Sequence, residues 1–215
     1  MSYEALAGIA LVALAMVLTP GPNMVYLVSR SITQGRRAGL VSLTGVVVGF
    51  LAYLTATCLG LTAVFALVPA AYTAIKLAGA GYLLYLAWKT LRPGGLSVFE
   101  PGDLRPDSTS RLFTMGLVTN LLNPKAAVLY LSLLPQFIEP SAGHVMMQSF
   151  ILGTVQITVS MAVNLLIVFT AGALATFLGA RPSWLRAQRY VTGTVLGVFA
   201  VKLATDRSRA VVATP

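Results

Sequence analysis

The sequence predicts an all-α polytopic membrane protein: six transmembrane helices built as two inverted three-helix repeats, with the first and fourth helices broken. Three observations carry this. Of the 215 residues 57% are apolar and only 10% charged, with a mean hydropathy of +0.82, whereas a soluble globular domain has about 25% charged residues. Long uncharged runs alternate with clusters of Lys and Arg. Proline breaks also recur early in each half, at Pro20–Pro22 and at Pro124.

A helix needs about 20 mainly apolar residues to cross the bilayer core. The first span lies between Ala5 and Ser29 and is interrupted at Pro20, Gly21 and Pro22. Glu4 and no Lys or Arg precede it, so this segment reads as retained and not as a cleaved signal. Ala38 to Ile75 is uncharged and too long for one straight helix. Pro69 divides it into a second helix over 38–67 and a third over 71–91. Tyr82, Tyr85 and Trp88 resemble an interfacial belt near the end of the third.

Prolines, glycines and most of the acidic residues gather in 92–111, which reads as a solvent loop. The fourth span runs from Leu112 to Leu134 and carries Lys125; Pro135 and Pro140 bracket a turn. A long or tilted fifth helix covers 146–177. The sixth has only Tyr190 to Val201 uncharged, so it spans if Lys202 snorkels; the alternative is five spans and a surface-lying C-terminal segment.

Orientation follows from the basic residues of short loops. Arg30, Arg36 and Arg37 follow the first span, Lys89, Arg92, Arg105 and Arg111 the third, and Arg181, Arg186 and Arg189 the fifth. The other two loops have none. The basic side is expected to be cytoplasmic and both termini outside, against which stand Lys202, Arg207 and Arg209 in the tail. The expected parts are a first repeat over 1–91, a cytoplasmic loop over 92–111, and a second repeat with a short tail over 112–215.

The net charge of +9 does not point to nucleic acid, because the basic residues lie between apolar runs and not along one face. Cys58 is the only cysteine, so no intramolecular disulfide or thiol relay is available. With His144 as the only histidine, no metal site or metalloprotease cluster is in view, and no cofactor is expected. The chain reads as no enzyme. Its partners are the lipid bilayer and a small zwitterionic solute, with a homo-oligomer left open.

The solute reading comes from the breaks. Sliding the chain by 104 residues puts Pro20 on Pro124 and Gly49 on Gly153. Three spans per half make the halves inverted, an architecture in which binding sits at the midplane where broken helices meet. Freed amides at a helix N-terminus suit an anion and freed carbonyls at a C-terminus suit a cation, so two breaks could hold both ends of a zwitterion. The candidate residues are Thr19, Pro20, Gly21, Pro22 and Asn23 in the first half, and Asn120, Asn123, Pro124 and Lys125 in the second. Without a second break, Pro20 and Pro22 would read as a kink in a packed helix.

A Lys inside a span costs about 2.5–3.5 kcal/mol on insertion scales and marks a function or a buried partner. No Asp or Glu lies within a predicted span, so Lys125 has the substrate or a folded-back Glu139 as counter-charge, or is neutral through desolvation; a shallow, snorkelling Lys125 is the alternative. Gln156 and Asn164, eight apart on the fifth helix, share a face, with Thr158 and Ser160 nearby. They read as groups that bond across helices. Gly45–Gly49 and Gly193–Gly197 have the spacing of close helix packing.

At these residues the chain resembles the LysE/RhtB family of amino-acid exporters. The matching stretches are TPGPN from Thr19, RSITQGRRAG from Arg30, Lys76 to Trp88, Phe113 to Gly116, NLLNPKAA from Asn120, Leu134 to Phe137, and Gly193 to Leu203. The resemblance implies a six-helix inner-membrane secondary transporter that expels amino acids or close derivatives on the proton motive force, by antiport. The absence of a Walker-type phosphate loop agrees with that. Members often have an acidic residue after the glycine of the second helix, where this chain has Gly49 followed by Phe50. A metal-ion or other small-solute exporter, or a passive channel, is the rival reading. The amino acid itself cannot be read from these residues.

Overall fold

The computed structural model describes residues 2–67, 69–92, 106–179 and 182–205. Among the described residues every regular element is a helix. The first is α1 (Tyr3–Leu18), which starts where the Ser2 hydroxyl accepts the Ala5 amide at 3.2 Å. Then come α2 (Pro22–Thr33), α3 (Gly35–Leu67) and α4 (Pro69–Leu91). After the expected loop, whose residues 93–105 lie outside the described ones, Ser108 caps α5 (Thr109–Leu121) by accepting the Arg111 amide at 3.3 Å. Next is α6 (Pro124–Val128), which runs on as a π turn over Leu129–Leu133 and a 3-10 turn over Leu134–Phe137. A second 3-10 turn (Pro140–Ala142) leads to α7 (Val145–Gly179) and α8 (Pro182–Thr205).

Among the described residues two stretches are long and apolar enough to cross a bilayer alone, Gly35–Gly60 in α3 and Val145–Ala173 in α7. The pair α1 and α2, which meet at 55°, passes that test only together, as do α5 and the Pro124–Phe137 segment, which meet at 48°. Length and composition thus give two crossings, or up to four if each bent pair is one. The helices run closer together than the loops expected from charge. Arg30 lies in α2, Arg36 and Arg37 open α3, Lys89 closes α4 and Arg111 is in the first turn of α5. A basic side chain at a helix end can reach water while its backbone stays helical. Arg181, Arg207, Arg209 and the side chains of Lys76, Arg189 and Lys202 lie outside what is described.

α3 packs against α5 and α7, α1 against α7, and α4 against α8. The α3–α5 crossing is close because it is made by glycines: a Cβ on Gly45 would lie 2.1 Å from the Phe113 carbonyl oxygen, and one on Gly116 would lie 2.2 Å from that of Ser42. The expected packing role of Gly45 holds. Gly193 likewise meets Leu91, whereas Gly197 has open space beside it.

A buried ion cluster ties the end of α2 to the start of α5. Arg30 Nη1 is 2.6 Å from Asp107 Oδ2, and Arg111 Nε is 3.0 Å from Oδ1. Gln34 donates to the same carboxylate at 3.1 Å and accepts the Asp107 amide at 2.8 Å. The Arg30 guanidinium lies over the Tyr26 ring, whose hydroxyl donates to the Leu112 carbonyl at 2.7 Å. Removing one member of a buried pair strands the other charge, at about 3–5 kcal/mol. Asp107→Ala is expected to cost about 3 kcal/mol of stability in detergent unfolding. Arg111→Ala removes a side chain that is 69% exposed and is expected to cost under about 1 kcal/mol. Equal melting temperatures for the two variants would mean that the cluster holds nothing.

Candidate functional site

The site is built from the two chain breaks. α1 ends at Leu18, and its cap residue Thr19 donates its hydroxyl to the Ala15 carbonyl at 2.7 Å. Thr19 and Gly21 are extended, and α2 starts at Pro22 with no side-chain cap. Proline suits that first helical position, since its missing N–H would have no intrahelical partner. In the second break Asn123 is the cap: its Oδ1 accepts the Lys125 amide at 3.0 Å, and Pro124 takes the first helical position. By role, therefore, Pro124 corresponds to Pro22 and not to Pro20.

Lys125 joins the breaks. Its Nζ donates to the carbonyl of Met16 at 2.7 Å and to that of Thr19 at 2.6 Å, both at the C-terminal end of α1. Main-chain oxygens there carry the negative end of the helix dipole. They, and not a carboxylate of this chain, are the acceptors of the Lys125 ammonium. Glu139 does not fold back onto Lys125; it is exposed and accepts the Ser141 hydroxyl at 2.9 Å. Lys125 itself is only 9% exposed, and it sits at the start of a helix and not in the middle of one. The snorkelling alternative is set aside by this geometry.

Beside the ammonium lies a cavity of about 30 Å³. Its polar wall is Asn23, Asn123, Lys125, Gln156, Ser160 and Asn164, and Phe50 is among its apolar residues. Gln156, Ser160 and Asn164 recur every fourth residue of α7, so they form one stripe. Tyr130, wholly buried, donates its hydroxyl to Gln156 Oε1 at 2.5 Å, and Gln156 donates to Ser160 Oγ at 2.9 Å. Gln156 thus bonds across helices, as expected, and also faces the cavity. Asn23 Oδ1 is buried and has no hydrogen-bond partner.

Of the nine residues singled out in the sequence, Asn23, Asn123 and Lys125 line the cavity. Thr19 holds the Lys125 ammonium, and Gly21 lies against it. Pro22 and Pro124 start helices with exposed side chains, and Pro20 is half-buried. Asn120 is different. It is fully buried against Gly49, outside the cavity wall, with neither Oδ1 nor Nδ2 partnered. Gln156, Ser160 and Asn164, read from sequence as groups that bond across helices, also line the cavity, and their four-residue spacing within an uncharged run is the signal of that shared face. His144 is exposed in a turn, with φ of 51°.

A Cβ on Gly21 would lie 3.0 Å from Lys125 Nζ and 3.2 Å from Cε. Gly21→Val is therefore expected to push Lys125 off its carbonyls and lower the melting temperature, by an overpacking cost of about 1–3 kcal/mol. Gly81→Ala, with open space at its Cβ position, should leave it unchanged or slightly raised. Equal melting for both would separate Gly21 from the Lys125 seat.

A leucine efflux protein of Salmonella typhimurium (strain LT2) is 28% identical over 201 residues, covering 91% of this chain and 92% of the relative. One of Enterobacter sp. (strain 638) is 28% identical over 195 residues, covering 90% and 92%. No solved structure matches. The LysE type translocator model matches residues 14–207. The chain belongs to the LysE type translocator family, whose members are transporters and not enzymes.

Proposed function

We propose that this chain exports amino acids from the cytoplasm as a secondary transporter, with the solute held between the two breaks. The observation that carries the reading is the meeting of both interruptions at one polar cavity through Lys125. Interrupted backbone at membrane depth is tolerated where it is buried in protein or lines a wet cavity. Family membership and relatives named for leucine efflux support the cargo. Leucine is accordingly the first substrate to test.

In this reading the chain crosses the bacterial inner membrane six times, as inverted repeats over 1–91 and 112–215 joined by a cytoplasmic loop over 92–111. Each bent pair is one broken span. α4 with 23 residues and α8 with 24 have the length for the remaining two. The basic helix ends lie on the cytoplasmic side and both termini outside. Thr19 to Asn23, with Asn120, Asn123, Pro124 and Lys125, form the site, joined by Gln156, Ser160 and Asn164.

A cavity of about 30 Å³ holds one or two waters, far below the roughly 300 Å³ or more of a ligand pocket. In this reading the cavity widens to admit substrate as α1 and α2 move relative to α7. Export runs on the proton motive force. Phe50 stands at the wall where relatives often have an acid, and Lys125 is the titratable member of the lining.

Proteoliposomes loaded with labelled leucine test this. Efflux is expected to rise with an imposed pH gradient, and Asn123→Ala and Lys125→Ala should each reduce it at least tenfold with protein still in the membrane. Absence of leucine and other amino-acid flux would remove the cargo. Flux indifferent to the gradient would make the protein a passive pore, and full activity in both variants would move the site elsewhere.

A further inference from the structure

Resting on the amino-acid reading above, we propose that the Lys125 ammonium is a tethered stand-in for the amino group of the substrate. In the empty transporter it fills a seat made by the Met16 and Thr19 carbonyls. A bound amino acid takes that seat with its own ammonium, and Lys125 turns to the substrate carboxylate.

The seat is chemically selective. It offers main-chain oxygens at the end of α1, each within 2.7 Å of a primary ammonium already in place. An ammonium has three N–H donors, and these bonds use two of them. The same cavity supplies a further acceptor, Asn23 Oδ1, which is buried and meets no donor. A compact α-ammonium that is free of the Lys125 stem can be oriented by the cavity to reach all three. A Cβ at position 21 would lie 3.0 Å from Nζ and 3.2 Å from Cε, so the glycine there keeps space open beside the seat.

Charge decides what can displace Lys125. Among the described residues no carboxylate pairs with it, so its positive charge is held by dipoles alone. A zwitterion adds no net charge. Its ammonium keeps a cation at the α1 terminus, and its carboxylate gives Lys125 the anion it lacks, within reach of a flexible four-carbon stem. A simple amine would set two cations side by side, and a simple carboxylate would leave the seat empty once Lys125 swung out. The exchange therefore requires both groups on one molecule, and it loosens the bond between the two breaks whenever substrate binds.

Thermal unfolding of the purified full chain in detergent tests this with three probes: leucine, 3-methylbutylammonium and 4-methylpentanoate. The wild type is expected to be stabilised by leucine alone. Lys125→Met empties the seat, so 3-methylbutylammonium should stabilise this variant at concentrations at least tenfold below any that shift the wild type, and its affinity for leucine should fall at least tenfold. Lys125→Gln serves as a second variant. Stabilisation of the wild type by the amine as strongly as by leucine would overturn the proposal without any variant. So would variants that gain no affinity for the amine. Variants that gain the amine while the wild type ignores every amino acid would uphold the ammonium seat and count against the export reading.

Discussion

A main chain interrupted inside hydrocarbon must find partners for the polar groups it frees, because no water is there to take them. Here the C-terminal carbonyls of α1 are met by a side chain from 106 or more residues away, the ammonium of Lys125. Its own amide is held by Asn123, which caps the second break. One lysine therefore settles two accounts that neither break could close alone. Remove it, and the end of α1 loses the donors that hold it against α6.

Around this joint the fold separates a rigid part from a part with polar freedom. Glycines let α3 and α5 touch backbone to backbone, and the Asp107 cluster fixes α5 to the far end of α2. At the cavity one wall is polar. Asn23 keeps a buried oxygen without a partner there, and Asn120, outside the cavity wall, keeps two such atoms, each at about 1–3 kcal/mol. A π turn follows α6 directly, an irregularity frequent at functional sites.

Much of the architecture was legible because the bilayer writes in hydropathy. The uncharged runs located α3 and α7, and the prolines located both breaks to within a few residues. Helix ends were misjudged where basic residues sit in terminal turns, since charge marks the interface and not the end of the helix. The partners of Lys125 left no trace in the sequence, because main-chain oxygens belong to every residue type. Asp107 was counted with the loop, and only the fold brings it to Arg30, 77 positions earlier. Pro20 and Pro22 look alike in sequence, but only Pro22 occupies the helix-starting position that Pro124 holds in the second half.

The account stands on the contact between the end of α1 and the start of α6. Val17 and Ala126 both line the cavity, so cysteines at these two positions, in a Cys58→Ser background, report on it directly in native membranes. A short thiol-to-thiol reagent is expected to link them within one chain, as read by mass spectrometry of the digested protein. Cysteines that each react with a maleimide but never with one another would mean that the two breaks do not meet in the membrane.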